Sequence, residues 1–197
     1  RIPLAPFTLK ECELYAKERG LKLSRYQILN LYMVMGGVAL YWSLLDKQYS
    51  AVQNIDQLFF NKDAKLQGEF NDLYDSLFKH PEAYKSIIVA LGKHLSGLTR
   101  QELLKYTAQA DNGVFSDRLE ELEECGFIMK MRAFPKSKKE AIYKLCDNYT
   151  IFYFKYIKSN AGIKDFWTKN FKSQSIKSWS GFSFERVCLQ HISQIKK

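Results

Sequence analysis

Apolar positions recur at helical spacing along most of the chain, and polar caps cut them into segments. Thr8-x-x-Glu11, Ser24-x-x-Gln27, Ser50-x-x-Gln53 and Thr99-x-x-Glu102 are capping boxes. In each, the hydroxyl accepts a free backbone N–H while the side chain at the third helical position reaches back to the cap. The first box predicts a helix to about Arg19, stopped by Gly20. The second opens a helix carrying Ile28, Leu29, Leu31, Tyr32 and Met35 as far as Gly36-Gly37, where at least one glycine is expected at positive φ. Phe70, Leu73, Tyr74 and Leu77 form another helical stripe. Residues 1–79 are therefore expected to form a small helical bundle.

The pattern changes after Pro81, a residue suited to a helix's first turn. Tyr84, Ile87, Ile88 and Leu91 mark one helix, and Leu103 and Leu104 follow the Thr99 cap in a second. After the Asn112-Gly113 break, a third helix turns Val114, Phe115, Leu119 and Leu122 inward and ends at Gly126. FIMKMRAF and AIYKL then read as two strands around the basic turn PKSKKE. The order helix, helix, helix, hairpin over residues 80–149 is the winged-helix arrangement.

Residues 150–197 open with IFYFKYI, expected to be a helix packed back on the hairpin, its aromatics in a core rather than on a base-stacking platform. Trp167, Phe171 and Trp179 punctuate a lysine-rich connector. The stretch WSGFSFE opens a last helix with Phe184, Val187, Cys188, Ile192 and Ile195 as its apolar stripe and Glu185 one step off it. The fold class read from the whole pattern is mainly α: a helical bundle, a winged helix with a short β-hairpin, and C-terminal helices.

Composition narrows the function classes. At 197 residues and 46% hydrophobic content the chain can bury one or two modest cores. Its longest nearly apolar run, Leu31 to Trp42, is broken by two glycines and is shorter than the roughly 20 residues of a membrane span, so no membrane partner is expected. The start, RIPLAPFTLKE, has no signal-peptide pattern and reads as a chain entered midway. Cys12, Cys125, Cys146 and Cys188 form no C-x-x-C pair, which fits a reducing, cytoplasmic setting; Cys188 and His191 alone are too few for structural zinc, so no metal site is expected.

Charge is uneven. Residues 1–80 carry 10 basic and 9 acidic side chains, 81–149 carry 11 and 10, and 150–197 carry 9 and 2. The third helix of the 80–149 segment presents Asp117, Glu120, Glu121, Glu123 and Glu124 against Arg118, a face that phosphates would repel. The hairpin is the reverse: Lys130, Arg132, Lys136, Lys138, Lys139 and Lys144 face only Glu140. Two readings stay open. In one, Lys130, Arg132, Lys136, Lys138 and Lys139 hold DNA weakly and without sequence preference; in the other, the module contacts protein and its lysines are a solvated surface.

The motifs taken in order resemble a family. Leu4-x-Pro6-Phe7-x-x-x-Glu11, Tyr32-x-x-x-Gly36-Gly37, Leu73-Tyr74-x-x-Leu77-Phe78 and Leu119-x-x-Leu122-x-x-x-Gly126-Phe127-Ile128 are followed by Tyr143-x-Leu145-x-Asp147 with Phe152-Tyr153-Phe154, and by Trp179-x-Gly181-x-x-Phe184-Glu185. Together they resemble the C-terminal part of archaeal-type P-loop ATPases of the AAA+ group, in which an ATPase core is followed by a winged helix and a restriction-endonuclease-like domain. The family's double glycine is usually followed by a proline, where this chain has Ala39.

The resemblance implies that residues 1–79 are the helical lid of the ATPase, 80–149 the winged helix, and 150–197 a basic connector leading to the first helix of the nuclease-like domain. Glu185 would be the first acidic residue of that domain's catalytic site. The whole protein would use ATP and Mg²⁺, act on nucleic acid, and oligomerise, if at all, through the ATPase; the missing core would be this segment's first partner. No G-x-x-x-x-G-K-[ST] occurs, and no carboxylate follows Glu185. The segment by itself is therefore expected to be catalytically silent and to hold no cofactor. The alternative from another class is a non-enzymatic winged-helix adaptor for protein–protein contact.

Overall fold

The structure is a computed structural model describing residues 5–131 and 141–196. Its backbone separates into two units. Residues 1–67 with 155–197 make the first, and residues 68–154 make the second. All four capping boxes form, each with both reciprocal hydrogen bonds. The chain is mainly α, with a small antiparallel sheet. Among the described residues, no helix is long and apolar enough to cross a membrane.

The first unit begins with α1 (Leu9–Glu18), α2 (Arg25–Met35), α3 (Ala39–Ser43) and α4 (Ala51–Ile55), the last running into a π turn over Asp56–Phe60. Gly20 ends α1 at φ 67° and Gly36 ends α2 at φ 62° with ψ −154°, a conformation open essentially only to glycine. Gly37 has a different task. A Cβ there would lie 1.9 Å from the carbonyl oxygen of Phe7. Phe7 donates its N–H to the Gly37 carbonyl at 2.8 Å, Tyr32 Oη donates to the Phe7 carbonyl at 3.1 Å, and Trp42 Nε1 donates to the Gly36 carbonyl at 2.8 Å. The double glycine is thus a helix stop and a close backbone crossing at once. Leu31, Met35, Trp42, Ile55, Phe59 and Phe60 are buried in the same unit, each contributing roughly 1.5–3 kcal/mol by leaving water.

The second unit comprises α5 (Glu69–Leu77), α6 (Pro81–Lys93), β1 (Leu98–Thr99), α7 (Arg100–Thr107), α8 (Gly113–Glu124), β2 (Ile128–Met131), β3 (Ile142–Leu145) and α9 (Asn148–Phe152). Helix, helix, helix, hairpin is the order after α5, and β1 completes an antiparallel sheet in the order β1-β3-β2. Phe115, Leu119 and Leu122 of α8 are buried, but Val114 is 52% exposed, a correction to the inward stripe. Val114 lies about 100° around the helix from Phe115, outside the 115/119/122 face. Leu77 is likewise exposed beyond the Phe70 and Tyr74 stripe of α5.

The segment IFYFKYI does supply core. It forms the end of α9 and a π turn over Tyr153–Ile157, with Ile151, Phe152, Tyr156 and Ile157 buried. Within the second unit, Tyr153 stacks on Phe70 at 4.2 Å, and a Cβ at Gly92 of α6 would meet the Phe154 ring at 2.4 Å. Its ring contacts therefore fall on α5 and α6, while Tyr143 and Leu145 of β3 share the same core cluster.

The chain then re-enters the first unit as α10 (Lys158–Asn160), α11 (Phe166–Asn170), α12 (Gln174–Gln190) and α13 (Ile192–Ile195). Residues 155–197 group with 1–67. The last long helix starts five residues before Trp179, at Gln174, with Ser173 as its N-cap, and Gly181 lies in its interior. Its buried face is Ile176, Trp179, Ser183 and Val187, at spacings of 3, 4 and 4. Phe184, Ile192 and Ile195 are exposed, so the apolar stripe expected for this helix is displaced by one residue.

Burial pushes the Tyr32 phenol from 10.0 up to about 12, and burial together with the Glu121 carboxylate does the same for Tyr84. The Cys12 thiol rises from 9.0 to about 12, chiefly through burial. Each folded pKa lies above its unfolded value, so the native state holds more protons between the two. The contribution of these groups is then complete below pH 9 and falls as pH rises from 9 towards 12. Thermal melts at successive pH values should show this decline, and Tyr32→Phe should make it shallower.

Candidate nucleic-acid interface

In the second unit, the described part of the basic hairpin contains one of its five candidate phosphate ligands. Lys130 on β2 is exposed, with its Nζ 5.6 Å from the centroid of the Tyr143 ring, and its backbone N–H donates to Glu123 Oε1 at 3.1 Å. Arg132, Lys136, Lys138 and Lys139 lie outside the described residues. Lys144 on β3 is half-buried, and its stem lies where a Cβ at Gly97, φ 99°, would meet it at 2.6 Å.

The surroundings of α8 give its charges definite partners. Arg118, the helix's one cation, donates from Nη1 to Gln109 Oε1 at 2.6 Å. Gln109 in turn donates to the Ala83 carbonyl and to Ser86 Oγ, both at 2.9 Å. That chain ties α8 to α6 and engages the Arg118 guanidinium inside the unit. Tyr84 Oη donates to Glu121, and Glu123 receives the Lys130 N–H. Asp117, Glu120 and Glu124 stay exposed. The solvent face of α8 is therefore acidic in the folded unit as well as along the sequence.

In the first unit, Glu185 sits on α12, exposed, and makes no hydrogen bond or ion pair with any described residue. Among the described residues, no group of three or more His, Cys, Asp or Glu could hold a metal ion. His191 is engaged otherwise. Its Nε2 accepts the Leu9 N–H at 3.1 Å, and its Nδ1 lies 2.9 Å from the Val187 carbonyl. One ring nitrogen thus receives the first free amide of α1 while the other closes the end of α12, so the Cys188/His191 spacing belongs to a structural contact.

Two features of this unit were not read from the sequence. Asp56, 1% exposed, accepts from Trp167 N at 2.7 Å through Oδ1, and from Thr168 N at 2.9 Å and Thr168 Oγ1 at 2.6 Å through Oδ2. It caps α11 from a distance because the residue preceding that helix, Asp165, is held at φ 57° and makes no side-chain cap. Asn61 Oδ1 receives the Asp165 N–H at 3.0 Å. Beside this junction lies a cavity of about 300 Å³ whose lining includes Asn30, Ile55, Trp167, Phe171 and Trp179. The signal for it, three aromatics between lysines, read as a connector because the wall facing them comes from α2 and α4.

No family model and no solved structure matches the chain. One curated protein does: "Uncharacterized protein MJECL04" of Methanocaldococcus jannaschii is 27% identical over 165 residues, covering 80% of this chain and 34% of the relative. The chain thus spans about a third of the length of the relative it matches, and it is similar to an archaeal protein whose printed name assigns no activity.

Proposed function

We propose that this chain is the C-terminal, nucleic-acid-contacting portion of an AAA+-type P-loop ATPase, with residues 1–79 as lid and 80–149 as winged helix. The observation that carries the reading is the charge arrangement of the second unit. Its third helix is acidic with Arg118 already engaged, so a phosphate backbone would meet the hairpin, where Lys130 is exposed. The ordered motifs quoted above support the same reading. ATP and Mg²⁺ belong to the whole protein. So does any cleavage involving Glu185, which belongs to no group of three or more potential metal ligands among the described residues.

Fluorescence anisotropy of a labelled DNA duplex, followed against salt, tests the assignment. Binding should be weak and indifferent to sequence. Replacing Lys136, Lys138 and Lys139 together by Ala should flatten the log–log salt slope by up to about 3 units, since each phosphate contact contributes roughly −0.9. Arg118→Ala should leave the slope unchanged. If Arg118→Ala abolishes binding while the triple substitution does nothing, α8 reads DNA and the wing assignment is wrong.

A second reading, a non-enzymatic adaptor, is favoured by the exposed Asp117, Glu120 and Glu124 face of α8, which suits a basic protein surface. No duplex binding at low salt would select it.

A further inference from the structure

The cavity of the first unit is walled on one side by aromatic rings fixed in place. Trp167 and Trp179 meet edge to face at 5.8 Å and 89°, and Tyr156 braces both, at 5.3 Å from Trp167 and 5.6 Å from Trp179. Phe60 lies parallel to Trp167 on the core side, at 6.1 Å and 4°. Such an arrangement is preformed, so a ligand would lose little to side-chain ordering. Phe171, 39% exposed, stands at the opening.

The opposite wall is polar in a particular way. Asn30, half-buried, lines the cavity, and its side-chain amide bonds to no described residue. Gln27 gives its carbonyl oxygen to the Ser24 N–H at 2.8 Å, so its NH₂ is uncommitted among the described residues. A carboxamide offers one acceptor beside two donors, the pattern that pairs with the edge of a nucleobase.

Size and charge agree with that pairing. About 300 Å³ is at the small end of ligand cavities, which run roughly 300–1,000 Å³, and suits one ring system. Lys172 follows Phe171 with its Nζ 5.5 Å from that ring's centroid, and Lys177 follows Ile176 of the lining. Neither forms an ion pair with a described residue. The wider segment, 150–197, holds 9 basic side chains against 2 acidic ones. The ligand's ring should therefore carry a negative group.

We propose that this cavity binds a nucleobase attached to a phosphate, supplied either as a mononucleotide or as an unstacked base of a single strand. The ring lies against Phe171 and the tryptophans, the Asn30 amide pairs with its edge, and Lys172 and Lys177 meet the phosphate. The site is independent of the hairpin. A duplex could bind the second unit with this cavity empty, and the converse also holds.

The tryptophans separate the two. Trp42, Trp167 and Trp179 all belong to the first unit, so tryptophan quenching reports the cavity, while labelled-duplex anisotropy reports the hairpin. The full 197-residue chain is titrated with adenosine and uridine 5′-monophosphates, ribose 5-phosphate, and a short oligothymidylate. Nucleotides or the oligomer should quench saturably, and ribose 5-phosphate should not. Oligomer affinity per base well above that of the monophosphate marks a strand site; equal affinity marks a nucleotide site.

Phe171→Ala should weaken binding by about fivefold or more, the effect of removing one stacking ring. Asn30→Leu should do the same without altering the circular dichroism spectrum, and Lys172→Gln should weaken the phosphate-dependent part of the affinity. Absence of saturable quenching up to about 1 mM overturns the proposal. So does quenching by ribose 5-phosphate as strong as that by nucleotides, or undiminished binding by both Phe171→Ala and Asn30→Leu.

Discussion

Asp56→Ala is expected to lower the urea midpoint of the tryptophan-reported transition by the equivalent of about 3 kcal/mol or more. Three donors converge on this carboxylate, two of them backbone amides at the start of α11. Hydrogen bonds to a charged acceptor each contribute roughly 1.5–3 kcal/mol, and a buried donor left unpaired costs about 1–3 kcal/mol. The two figures describe overlapping losses, so they bound the effect and are not summed. Asp56→Asn retains one acceptor oxygen and should fall between wild type and Ala. A midpoint for Asp56→Ala indistinguishable from wild type would show that water replaces the carboxylate without cost, contrary to its burial.

Gly37→Ala should be comparably damaging, by at least about 3 kcal/mol, and for a different reason. The added methyl would overlap the Phe7 carbonyl at 1.9 Å, and the clash is with backbone, which has no rotamer to escape into. Relief requires the segment around Phe7 to lift away, breaking its N–H bond to Gly37 and its carbonyl bond from Tyr32. Hydrogen exchange provides the check: the Phe7 amide should lose protection in the variant while the α2 interior keeps it. Unchanged protection at Phe7 together with an unchanged midpoint would overturn the close crossing.

These two residues mark how far the sequence could be read. Much of what is decided within one turn was legible. The four capping boxes, Pro81 at the start of α6, the break at Asn112-Gly113 and the helix stop at Gly36 all depend on residues close in sequence. Gly37 was half legible, because its role as a boundary is local whereas the backbone it admits lies 30 residues upstream. Asp56 was not legible, since nothing near position 56 indicates that its carboxylate serves α11.

The start of α12 was missed for a related reason. Ser173 caps that helix with no Glu or Gln at its third position, and Trp179, Ser180 and Gly181 resemble a stop more than an interior. Tertiary burial of Ile176, Trp179 and Val187 overrides the weak propensity of that stretch. For the candidate site, the sequence supplied the charge division and the acidic α8. It could not show that Arg118 is held by Gln109, or that Asn30 lines the same cavity as Trp167 and Trp179, because each pairing joins separate elements.

The first unit is written in two pieces with the second unit between them, and Asp56 meets Thr168 across 112 positions. A ribosome delivers the chain from its N-terminus at about 5–20 residues per second, so residues 68–154 are all available roughly one to three seconds before α11 exists. Through that interval Asp56 has no helix to cap and the aromatic core around Phe60 lacks Trp167. Nascent chains should therefore acquire the inserted unit's fold first, and any product ending before position 168 should keep residues 1–67 unfinished, exposing apolar surface to chaperones and proteases.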